Sequence, residues 1–91
     1  MDRPAFFKHN DAVAWLILGY LYSHPDAKDT AAGIGQWWLQ PDIHTGAQHL
    51  RTTLDYLVVQ GWLTSVRMES VGTVYGLNQE KLLVLRGLFP K

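Results

Sequence analysis

The chain contains no cysteine, and over its 91 residues 8 lysines and arginines are balanced by 8 aspartates and glutamates. Without cysteine there is no disulfide framework, no Cys-based zinc finger and no thiol nucleophile. Zero net charge, with no block of like charge and no low-complexity tract, leaves no basic nucleic-acid-binding tail. At 47% apolar residues the chain is too hydrophobic to be intrinsically disordered. Its longest apolar run, Val13 to Tyr22, is far short of the roughly 20 residues that span a bilayer. Arg3 and Lys8 precede that run as in a signal peptide. Asp2 and Asp11 spoil the basic region, however, and Ser23-His24-Pro25-Asp26-Ala27 is a poor cleavage site. The expectation is a cytoplasmic protein with no membrane partner.

Catalytic patterns are equally scarce. There is no G-x-S-x-G elbow, and Gly33-Ile34-Gly35 is too short to match a phosphate-binding loop. Four histidines raise the question of a metal. Yet His44 and His49, five apart, stand about 140° from each other on a helix, and no H-E-x-x-H spacing exists. No enzyme activity, cofactor or metal is expected.

What is present is one small domain with a periodic pattern. Residues 1–9 form a lead-in whose Phe6 and Phe7 are expected to dock on the core, and residues 10–91 form the domain. Asn10 can cap a helix from Asp11 to Ser23, ended by His24-Pro25 because the residue before proline avoids helical geometry. Asp29 or Thr30 can cap a second helix through Leu39. Gly33 and Gly35 weaken it by roughly 1 kcal/mol each, so packing of Ile34 and the Trp37-Trp38 pair must hold it. Adjacent tryptophans point about 100° apart, so one of the two is expected to be partly exposed.

The third helix, Thr45 to Gln60, is the clearest. Ala47, Leu50, Leu54, Leu57 and Val58 fall on one face; Thr45, Gln48, His49, Thr52, Asp55 and Tyr56 fall on the other. Gly61 stops it as a left-handed residue past the helix end. The period then changes from 3.6 to 2, which predicts strands over Trp62–Glu69 and Thr73–Leu77 joined by a turn at Ser70-Val71-Gly72. Alternation assigns Val66 and Met68 to the inner face and Ser65, Arg67 and Glu69 to the outer. Asn78 can cap a last short helix from Gln79 to Leu88. The fold class expected is mainly α with a small β-hairpin.

The spacing Leu54-x-x-Leu57-x-x-x-Gly61-Trp62-Leu63, followed by a hairpin closing on Tyr75-Gly76-Leu77, resembles the winged helix-turn-helix superfamily over residues 11–78. The resemblance implies a three-helix core with a wing and a short C-terminal helix, the third helix being the recognition helix. It also resembles, broadly, small single-domain transcriptional regulators. Winged helices serve as protein-interaction modules as well, so a protein partner stays open.

On that reading Gln48 can pair with adenine, Arg51 can take guanine or a phosphate, and Thr45, His49 and Thr52 can hydrogen-bond either. Arg67, the sole cation between Thr52 and Asn78, is the expected wing contact to phosphate, with a pairing to Glu69 as its alternative. Asp55 and Glu69 oppose a phosphate surface, so binding to double-stranded DNA calls for two copies. The first helix is apolar on every side. A contact through Trp15, Ile17, Leu18 and Tyr22 in a homodimer is therefore expected, unless Phe6, Phe7 and the last helix cover that side within one chain.

Overall fold

The computed structural model of the protein describes residues 12–39 and 45–89. In chain order these form α1 (Ala12–Ser23), β1 (Lys28–Thr30), α2 (Ala31–Gly33, continued as a π-helical stretch, Ile34–Trp38), α3 (Ala47–Val59), β2 (Leu63–Met68), β3 (Gly72–Leu77) and α4 (Leu82–Leu88). A single 3-10 turn, Gln79–Lys81, leads into α4. The described residues are thus mainly helical, with one three-stranded antiparallel sheet of order β1-β3-β2. The Asn10 cap and the lead-in with Phe6 and Phe7 lie outside the described residues.

The core is built from all the longer elements. Val13, Ala14, Ile17, Leu18 and Leu21 of α1 meet Ile34 and Trp38, then Leu50, Leu54 and Leu57 of α3, Leu63, Tyr75 and Leu77 of the sheet, and Leu85 of α4. The expectation that helix one needs a second copy to cover its far side is corrected for half of its residues. Ile17 and Leu18 are completely buried within one chain. The other two expected contacts, Trp15 and Tyr22, pack on Phe89 at the end of α4, edge-on at 5.2 Å and stacked at 5.5 Å. A helix that is apolar all round is buried all round, and here α4 and Phe89 supply much of the second cover.

The second helix is short and irregular because it carries two glycines. Thr30 caps it, its hydroxyl accepting from the Gly33 amide at 3.2 Å. The Asp29 carboxylate, which accepts from the Thr30 amide, occupies the space a Gly33 side chain would need. The π-helical turn keeps Ile34 and Trp38 on the buried side, and Trp38 stacks on Tyr20 of α1 at 4.8 Å. Trp37 points outward and is 68% exposed.

Three details depart from the sequence pattern. The strand β1 was absent from it: Lys28-Asp29-Thr30 has no apolar alternation and forms a strand only because β3 offers an edge, in the register Asp29 opposite Tyr75. Helix α3 starts at Ala47, with Gly46 at the cap, and its buried face is Leu50, Thr53, Leu54 and Leu57 rather than one containing Ala47, which is exposed. Thr53 is tolerated there because its hydroxyl donates to the His49 carbonyl at 2.9 Å.

The third departure is the hairpin, whose faces are opposite to expectation. Register pairs Leu63 with Leu77 and Ser65 with Tyr75. Leu63, Tyr75 and Leu77 are buried, so the core face carries Leu63, Ser65 and Arg67. Val66 and Met68 lie on the outer face, 59% and 47% exposed. The hairpin outruns the core after Leu63, which leaves both faces of its outer half wet.

Candidate nucleic-acid interface

A recognition surface on this chain is defined by how α3 ends and by what it leaves uncovered. Its C-terminus closes in a Schellman arrangement: the Gly61 amide donates to the Val58 carbonyl at 3.0 Å and the Trp62 amide to the Leu57 carbonyl at 2.9 Å. Gly61 adopts φ +88°, as the left-handed position past a helix requires. Asn78 locks the junction, its side-chain amide donating to the Gly61 carbonyl and its backbone amide to the Trp62 carbonyl, both at 2.9 Å. Helix, hairpin and the turn into α4 therefore meet at one point, and the direction of the hairpin relative to α3 is set there.

Taking Gln48 as the origin and about 100° per residue, the buried residues Thr53, Leu57, Leu50 and Leu54 span an arc of α3 from roughly 140° to 240°. Gln48, Thr52, Asp55 and Arg51 occupy the opposite arc, with His49 beside it, and all five side chains are exposed. Thr45 is different. It precedes the helix, is half-buried, and its hydroxyl is shielded from solvent, so it does not join this surface. Tyr56, expected on the polar face, is half-buried against the core.

Of the expected site residues, the structure brings Gln48, Arg51 and Thr52 together on one exposed face, with His49 exposed at its margin. Asp55 lies among them, one turn beyond Arg51 on the same side. Arg67 stands apart on the hairpin, exposed, on the sheet face that carries Leu63 and Tyr75 and so on the side where the helices pack. The exposed charges on the α3 face and the hairpin taken together are Arg51 and Arg67 against Asp55 and Glu69. Trp37 and Gln36 are further exposed residues of the preceding helix. The adjacency of the two tryptophans signalled that one would face outward, without saying which.

No protein-family model, curated protein or solved structure matches the chain. Among the described residues no group of three or more His, Asp or Glu side chains is placed to hold a metal ion. No helix among them is long and apolar enough to cross a membrane.

Proposed function

We propose that the chain is a winged helix-turn-helix domain that binds double-stranded DNA as a homodimeric, cytoplasmic transcriptional regulator, with α3 in the major groove and the β2-β3 hairpin as the wing. The arrangement of elements supports the fold: β1 falls between the first two helices, the hairpin follows the third, and the strand order is β1-β3-β2. The observation that carries the function is the exposed polar arc of α3, in which Gln48 and Arg51 offer the side-chain types that read adenine and guanine edges. His49 and Thr52 flank them as hydrogen-bonding partners for bases or phosphates.

A protein-interaction winged helix is the second reading. It is favoured by the zero net charge and by exposed apolar side chains on the hairpin and α4, namely Val66, Met68, Val71, Leu83 and Val84. A titration of the purified protein against mixed duplex DNA at two salt concentrations separates the readings. DNA binding with a steep loss of affinity at higher salt supports the first. No binding at low salt refutes it and leaves the second.

A further inference from the structure

The two edges of the sheet are unlike. The β1 edge is three residues long and carries Lys28, whose stem lies across Gly76, and Asp29. Short length and charge are what protect an edge from pairing with another strand. The β2 edge is six residues long, has no proline, and keeps an unbroken register with β3. Five consecutive residues, Thr64 to Met68, are exposed, and the only charge among them is Arg67. Such an edge presents a row of backbone groups that another extended strand can satisfy, together with an apolar stripe of Val66 and Met68 beside it.

We propose that the occupant of this edge is the β2 strand of a second copy of the chain, paired antiparallel about a two-fold axis through Val66. Symmetry limits the choices. A two-fold axis normal to the sheet keeps each side chain on its own face, so it must pass through a residue facing itself. Centred on Arg67, the pairing sets two guanidinium groups opposite each other, which is destabilising. Centred on Ser65, it sets Arg67 opposite Leu63 and Met68 opposite Trp62, both of which are buried in their own core.

Centred on Val66, it uses the exposed residues 64–68. Val66 faces Val66, Met68 faces Thr64 on the outer side, and Arg67 faces the uncharged Ser65 on the inner side. No like charges meet, and the Val66 and Met68 side chains of the two copies become neighbours on the outer face. The result is a continuous six-stranded sheet of order β1-β3-β2-β2-β3-β1. This pairing rests on the two-copy part of the reading above and not on DNA binding; it replaces the α1 surface that α4 and Phe89 cover.

With no cysteine in the chain, single cysteines report the contact without background. Directly opposed residues of an antiparallel pair have Cα atoms about 4.5 to 5.5 Å apart, within the range a disulfide spans. Val66→Cys is expected to form a covalent dimer on mild oxidation. Leu83→Cys, 78% exposed on α4, is expected to stay a single chain under the same treatment. Sedimentation at high-micromolar concentration, without DNA, is expected to give two chains for the wild type. For Val66→Lys it is expected to show dimerisation weakened at least about tenfold, because two valines leave an apolar contact and two lysines face each other.

The thermal midpoint of Val66→Lys under dilute, single-chain conditions is expected to match the wild type. A wild-type mass of one chain overturns the pairing and the homodimer together. A dimer that survives Val66→Lys, or that cross-links through Leu83→Cys instead, overturns the pairing and leaves the homodimer standing on another surface.

Discussion

Replacing Gly61 with alanine tests the junction on which the candidate surface depends. The residue sits at φ +88°, and a Cβ placed there meets nothing closer than the Lys81 Cε at 3.6 Å, an ordinary contact with a flexible side chain. The penalty is therefore almost entirely backbone: an L-residue in the left-handed region costs roughly 1 to 2 kcal/mol. If the chain escapes that strain by leaving the left-handed conformation, it gives up the two Schellman bonds at 3.0 and 2.9 Å and misaligns the Gly61 carbonyl that Asn78 holds. A net hydrogen bond is worth about 1 kcal/mol, so escape saves nothing.

For a domain of this size about 1 kcal/mol moves the thermal midpoint by roughly 4 to 8 °C. Gly61→Ala is expected to lower it by about 5 to 15 °C in a melt followed by circular dichroism. Gly61→Asn is expected to lose less, since asparagine tolerates the left-handed region. Gly87→Ala serves as the contrast: it lies within α4 with open space above it, so the substitution is expected to stabilise by roughly 0.5 to 1 kcal/mol. An unchanged midpoint in Gly61→Ala would refute the claim that a left-handed turn at Gly61 aims the hairpin.

Other expectations concern binding and the core. Arg51→Ala and Gln48→Ala are each expected to weaken specific DNA binding by roughly 1 to 3 kcal/mol while leaving the thermal midpoint nearly unchanged, because both side chains are exposed; fluorescence anisotropy with both variants checks this, and unchanged affinity in both sinks the recognition assignment. Arg67→Ala is expected to lower the salt slope of binding by about one and to weaken all duplexes alike; an intact slope and affinity make the hairpin structural. Leu85→Ala removes the α4 side chain that is completely buried in the shared core and is expected to cost about 2 to 5 kcal/mol in urea denaturation. A loss under 1 kcal/mol would mean that α4 is a dispensable cover rather than part of the core.

Much of the local structure was legible because its causes are local. The stop at Gly61 needs only a residue free to take positive φ. Caps at Thr30 and Asn78 need only a side chain within reach of amides two or three residues on, and both act as expected. Leu50, Leu54 and Leu57 announce the buried face of α3 by spacing alone. Position Ala47 misled the pattern because it lies in the first turn, ahead of the packing, while Thr53 entered the core through a hydrogen bond that hydrophobicity does not register.

By itself, then, the sequence determined a chain without staples, a run of helices with caps at Thr30 and Asn78, a hairpin after Gly61, and a first helix too apolar to leave wet. Only the tertiary structure decided what covers that helix, since α1 and α4 are far apart in sequence and their contact through Phe89 leaves no periodic trace. It also decided that Lys28-Asp29-Thr30 is a strand, because a short polar segment becomes one only when a distant partner supplies its hydrogen bonds. The facing of the hairpin belongs to the same class. Alternation defines two faces but does not say which is inside; Leu63 and Tyr75 reaching the helices settled it, turning Val66 and Met68 outward.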